Sequence, residues 1–120
     1  VRVPAPPHAV QLERVGDVAV GLCVGSVVSV YTVTETRKEG RPIYEGENRK
    51  YLYYQERRGV GRWTVADEGD WVSYEDNAWG YCVSDAMHPG ELRGLPWCVS
   101  DQTYRHYPET DGLGIRVVEP

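Results

Sequence analysis

Two cysteines and two histidines in the second half of the chain belong to the residue types that bind zinc. Cys82, His88, Cys98 and His106 follow one another with five, nine and seven residues between them. Structural zinc sites usually draw their ligands from close pairs, separated by about two to five residues. Because this segment contains no such pair, the sequence predicts no metal site, and nothing in it indicates a cofactor.

A cysteine nucleophile can be assembled from the same part of the chain, with Cys98 beside His88 or His106. Such a nucleophile needs a local turn or glycine context that exposes its thiol, whereas Cys98 alternates within a strand-like run beside Trp97. The Gly-Val-Gly segment at 59–61 also lacks the lysine and the following helix of a phosphate-binding loop. We therefore predict no catalytic residue, and a small Cys-dependent enzyme is only a third hypothesis.

The stretch from Trp71 to Trp79 combines aromatic rings with carboxylates. Rings next to carboxylates can receive an arginine or lysine side chain through a cation–π contact and an ion pair. The sequence thus predicts a binding groove for a basic peptide or a filament surface, formed by Trp71, Tyr74, Trp79, Asp70, Glu75 and Asp76. The alternative is that the two tryptophans only anchor strands and that the acids are solvated.

The placement of these residues depends on a phrase that the chain repeats three times. WTVAD begins at Trp63, YCVSD at Tyr81 and WCVSD at Trp97, so the starts lie 18 and 16 residues apart. A period of two is typical of strands, and the closing aspartate suits the first position of a turn. We expect the ring of each phrase to act as a wedge that holds its strand in the core.

The rest of the pattern predicts an all-β fold. Val27 to Thr36 is the clearest strand because β-branched residues dominate it, and residues 18–24 are predicted as a buried strand bent at Gly21. No segment shows a sustained helical period. We predict a small antiparallel meander, barrel-like or strongly twisted, in residues 17–120. An extended Pro-rich N-terminal arm or linker is expected in residues 1–16, of which 8–15 fit either helical turns or a first strand.

Composition limits the classes of partner. The chain has 120 residues, enough for one domain, with nine Tyr, four Trp and no Phe. Rings with a polar edge suit half-buried positions and binding surfaces. The net charge of −5 disfavours a general nucleic-acid partner. Eight of the thirteen cations lie between positions 37 and 62, ahead of an acidic stretch, which permits a contact between copies or a partner of one sign.

The cysteine content bears on cellular setting. Cys23, Cys82 and Cys98 make an odd set, which favours a reducing, intracellular environment over a disulfide framework. Cys82 and Cys98 hold equivalent places in two phrases, so contact or pairing between them stays open, although small buried thiols are the preferred interpretation. No run of apolar residues reaches the length of a membrane span. We expect a cytoplasmic or cytoskeletal protein with neither a membrane nor a nucleic-acid partner.

Several short motifs resemble a known type of module. The motifs G-R-P-I-Y at 40–44, L-Y-Y at 52–54 and W-T-V-A-D at 63–67 occur in the order found in a small β module that recurs in large multidomain proteins of unicellular eukaryotes. Asp85-Ala86, His88-Pro89-Gly90 and the Trp97 phrase are similar to its second half. The resemblance implies a non-enzymatic, protein-binding unit and brings no catalytic residues with it.

The first functional hypothesis is therefore a protein-interaction or scaffolding module of a larger intracellular protein, with the cytoskeleton as one setting. Its partner would contact the Trp71–Trp79 stretch, or copies would associate through exposed strand edges. A second hypothesis is a lectin-like module that stacks sugars on Tyr53, Trp71 and Trp79.

Overall fold

The structure, a computed structural model, describes residues 5–67, 78–101 and 106–118. All strands of the described residues belong to one antiparallel sheet, which confirms the predicted all-β class. The strands are β1 (Ala9–Arg14), β2 (Ser29–Lys38), β3 (Arg41–Glu45), β4 (Lys50–Arg57), β5 (Val60–Asp67), β6 (Gly80–Val83), β7 (Trp97–Val99), β8 (Glu109–Thr110) and β9 (Leu113–Val118). The helical parts are α1 (Val24–Val27) and two 3₁₀ turns, Glu47–Arg49 and Pro89–Leu92.

The order of the strands makes the sheet curl into a barrel that is nearly closed. That order is β8-β7-β6-β5-β4-β3-β2-β1-β9, so β8 and β9 lie at opposite edges. Only Asp111 and Gly112 separate them along the chain, and the sheet must therefore bend round until its two edges approach each other. Each edge strand pairs on one side only within the described sheet. We call the gap between these edges the seam.

Two tight hairpins fix the register of the central strands. Lys38 pairs with Arg41 and Arg57 pairs with Val60, which leaves the two-residue loops Glu39-Gly40 and Arg58-Gly59. Both residues of each loop have positive φ, between 52° and 79°. This is the turn whose twist matches the strands on either side of it, and a glycine at its second position adopts it without strain.

The three repeated phrases lie on neighbouring strands but do not all face the same way. Trp63 and Trp97 are fully buried in the core, as expected. Tyr81, however, pairs with Thr64 on one side and with Cys98 on the other, and it points outward. The expected wedge role is therefore wrong for Tyr81. A register shift of one residue turns every side chain of a strand to the other face, so Cys82 fills the core position.

The segment between β1 and β2 also departs from expectation. Residues 18–24 form no continuous strand, and Val20 is fully exposed. Gly21, with φ of +94°, redirects the chain. Leu22 then makes one bridge to Asp101, and the Cys23 amide donates to the Ser100 carbonyl (2.8 Å). The segment thus crosses to the end of β7.

The sheet begins at Ala9, inside the segment 1–16 that was expected to be an arm. Of the two structures considered for residues 8–15, the strand forms. The side chains of Val10 and Leu12 both point into the core and are fully buried. Their burial stabilises this segment as a strand of the sheet.

The barrel interior holds most of the apolar side chains. Its fully buried members are mainly rings and branched aliphatics, among them Tyr31, Tyr44, Leu52, Trp63, Val65, Leu92, Trp97 and Val99. A smaller cluster of Ile43, Tyr53 and Ala66 packs on the outer face of β3, β4 and β5. No helix within the described residues is long and apolar enough to cross a membrane.

Candidate functional site

The predicted acidic-aromatic groove falls largely outside the described residues. Asp70, Trp71, Tyr74, Glu75 and Asp76 lie in the segment 68–77, which the structure does not describe.

Trp79 is the one member of this predicted groove within the described residues. It packs against the main core, and its indole donates to Asp67 Oδ1 (3.0 Å). Its backbone bonds with Val65 (2.8 Å) and Ser100 (2.9 Å). Trp79 thus anchors the chain where it enters β6.

Residues from four of the sequence motifs meet in one cluster that holds the barrel wall together. The Arg41 guanidinium lies 3.6 Å over the Tyr54 ring. It donates to the carbonyls of Asp85 (2.8 Å) and Ala86 (2.9 Å). The Trp63 indole donates to the same Ala86 carbonyl (3.0 Å). We call these five residues the Arg41 cluster.

The Arg41 cluster ties β3, β4 and β5 to the chain that follows β6. The Tyr54 hydroxyl donates to Asp85 Oδ1 (2.9 Å), and the Tyr54 and Trp63 rings meet edge to face at 6.0 Å. Hydrogen bonds to charged groups are stronger than neutral ones. Arg41 donates its hydrogen bonds to backbone carbonyls of the domain itself. The motifs that carry the resemblance therefore have a structural role at these positions.

The three cysteines are free thiols. Cys82 faces the core and Cys98 faces outward from the next strand, so the two thiols lie on opposite sides of the sheet. Burial raises the pKa of Cys98, although its hydrogen bond with Tyr81 works in the other direction. A raised pKa keeps the thiol protonated at neutral pH, which is unfavourable for a nucleophile.

The other residues proposed for chemistry are engaged elsewhere. Tyr53, expected as a sugar-stacking platform, is only 1% exposed. His88 Nε2 lies 3.2 Å from Glu91, beside the Pro89–Leu92 turn. Of the zinc candidates, Cys82 lies inside the barrel and Cys98 outside. The described part of the chain holds no group of three potential metal ligands.

A groove lies along β9, the strand that forms one edge of the seam. Its volume is about 790 Å³, and its walls are β9 on one side and the loop at 90–95 on the other. We call it the seam groove. Its lining includes five apolar side chains, Val15, Leu95, Leu113, Ile115 and Val117. Val15, Leu95 and Val117 are exposed, at 61%, 37% and 43%. The groove therefore contains apolar surface that is accessible to solvent.

Four charged side chains border the seam groove. Arg116 and Glu13 bind each other at 3.3 Å, and Arg116 also donates to Gln11. Arg93 and Asp111 have no ion-pair partner among the described residues. The groove therefore offers one unpaired cation and one unpaired anion.

The backbone of β9 adds hydrogen-bonding groups to this wall. The Val15 amide donates to the Gly112 carbonyl (2.8 Å), and the Val33 amide donates to the His8 carbonyl (2.8 Å). Because antiparallel bonds alternate from one residue to the next, the odd residues of β1 face β9. Gly114 and Arg116 then carry the bonds to β1, and the N–H and C=O groups of Leu113, Ile115 and Val117 face the seam.

The sequence did not reveal the seam groove. Only the expectation of exposed strand edges pointed toward it. Its walls come from residues 13–15 and 111–117, which the pairing of β1 with β9 brings together, and from residues 90–95.

No protein-family model matches the chain, and searches of curated proteins and of solved structures find no significant match.

Proposed function

We propose that this chain is a non-enzymatic interaction module that binds a partner protein in the seam groove. The observation that carries the proposal is the groove of about 790 Å³ beside the edge strand β9, with exposed Val15, Leu95 and Val117 at its walls. Ligand pockets of proteins are typically about 300–1,000 Å³ and mostly apolar. Contiguous exposed apolar surface usually marks an interaction site.

Other features support a protein partner. The net charge of −5 is unfavourable for binding nucleic acid. Burial raises the pKa of the Cys98 thiol, which is unfavourable for nucleophilic attack. The resemblance to a recurrent binding module also favours a protein partner. The odd cysteine count favours a reducing, intracellular setting.

The proposal is tested by selecting binders from a library of linear peptides displayed on phage, with the whole domain as bait. Their affinities are then measured by calorimetry against two variants. Leu95→Glu places a charge inside the groove, whereas Val83→Glu places the same charge at an equally apolar, exposed site away from it. We expect Leu95→Glu to weaken binding by about tenfold or more, because it buries a carboxylate against apolar groups.

Val83→Glu is expected to change the affinity less than about twofold. A library that yields no binder contradicts the proposal, as do binders that lose equal affinity to both variants.

A further inference from the structure

The two walls of the seam groove offer different chemistry. The loop at 90–95 contributes Arg93 and Leu95. The opposite wall is the edge of β9, where Leu113, Ile115 and Val117 direct their backbone groups away from β1. A row of unpaired N–H and C=O groups on a strand is a template for another strand. Only Arg116 among the six residues of β9 carries a charge, and Gly90 of the 3₁₀ turn Pro89–Leu92 lies beside Val117.

The volume of the groove is compatible with a short extended segment. An extended residue occupies about 150 Å³, given about 3.3 Å along a strand, about 4.8 Å between strands and about 10 Å between layers. A groove of about 790 Å³ therefore accommodates about five extended residues. That is close to the length of β9, which has six residues.

We infer that an extended segment of a partner protein pairs with β9 as an additional strand and fills the seam groove. This inference rests on the proposed function and specifies how the groove binds. The segment satisfies the backbone groups of Ile115 and Val117, and this contact does not depend on its side chains. It also covers Val15, Leu95 and Val117, which removes their apolar surface from water.

The side chains of the groove specify the chemistry of the segment. Alternate residues of an added strand lie on the same face as Leu113 and Ile115, which point into the core, so these positions favour valine, isoleucine or tyrosine. Arg93 would pair with an acidic residue of the segment, and Asp111 would pair with a basic one. The partner is thus a short extended peptide with alternating apolar residues and one charge of each sign.

The test uses the peptides selected from the displayed library and asks how they bind. Val117→Pro removes an N–H that faces the seam, and proline is tolerated on the outer edge of a sheet. Val117→Thr is its matched control, because it keeps both the N–H and the β-branched shape. We expect Val117→Pro to weaken binding by about tenfold or more, and Val117→Thr by less than about threefold. Circular dichroism and thermal unfolding of both variants show whether the barrel is intact.

A second measurement leaves the protein unchanged. N-methylation of alternate peptide bonds in a selected peptide removes donors from one of its edges. We expect methylation to abolish binding in one of the two alternating patterns and to leave it unchanged in the other. Strand addition is overturned if a peptide binds equally well after either pattern of methylation and binds Val117→Pro as tightly as wild type. The proposed function would stand in that case, because the peptide still binds the groove. Dimerisation through β9, detected by sedimentation and abolished by Val117→Pro, would contradict a peptide occupant.

Discussion

At the scale of single residues, Gly61 shows how closely the Arg41 cluster is packed. A Cβ at this position would meet the Tyr54 hydroxyl and the Asp85 carboxylate. Gly61→Ala should therefore separate these two groups and break their hydrogen bond, at a cost of about 1–3 kcal/mol in unfolding free energy. Urea unfolding followed by tryptophan fluorescence measures this loss.

Gly25→Ala is the matched control for Gly61→Ala. A Cβ at Gly25 meets nothing within 4 Å, and Gly25 is not among the residues with positive φ. Because Gly25 lies in α1 and alanine is the better helix former, the unfolding free energy of this variant should equal that of wild type or exceed it by up to about 1 kcal/mol. Equal stability of the two variants would mean that the Tyr54–Asp85 contact adds nothing to the fold.

Cys82 makes the stability of the fold depend on pH in the alkaline range. Burial raises the pKa of its thiol from 9.0 to about 12. The folded state thus holds this proton more tightly than the unfolded state, so the contribution of the thiol is complete below about pH 9 and is lost as the pH rises toward 12. We expect the unfolding free energy of the wild-type protein to fall across this range. The unfolding free energy of the Cys82→Ala variant should fall less steeply.

Urea titrations of the two proteins at a series of pH values measure this difference in slope. Tyr31 and Tyr44, whose pKa values burial also raises, are present in both proteins and cancel in the comparison. Parallel slopes for wild type and Cys82→Ala would contradict the assignment.

At the scale of elements, the register of β6 separates three valines that the sequence places in equivalent positions. Val65 and Val99 are fully buried, whereas Val83 is 55% exposed. Val99→Ala should cost about 2 kcal/mol because it leaves a cavity, and Val83→Ala should cost less than about 0.5 kcal/mol. Chemical denaturation measures both, and similar losses at the two positions would place Val83 inside the barrel instead.

Local signals account for what the sequence predicted correctly among these elements. β2 followed from its β-branched residues. The direction of Tyr81 could not be predicted, because facing depends on register with two neighbouring strands. Residues 18–24 have a strand-like composition, but after Gly21 redirects the chain Leu22 makes one isolated bridge to Asp101, outside the strands of the sheet.

At the scale of the whole molecule, the seam follows from topology. Strands that are consecutive in sequence form opposite edges of the sheet, and the barrel stays open between them. No composition or spacing signals this arrangement, since it depends on the pairing of β1 with both β2 and β9. The candidate site was thus less predictable than the fold class, and of the predicted groove only Trp79 lies within the described residues.

The open edge of β9 is tested most directly by amide hydrogen exchange of the free domain, followed residue by residue with NMR. The Gly114 and Arg116 amides face β1 and should exchange slowly. The Ile115 and Val117 amides face the seam and should exchange at least about tenfold faster. Slow exchange at all four positions would show that β9 already has a partner on its second side, and that result would contradict an open seam.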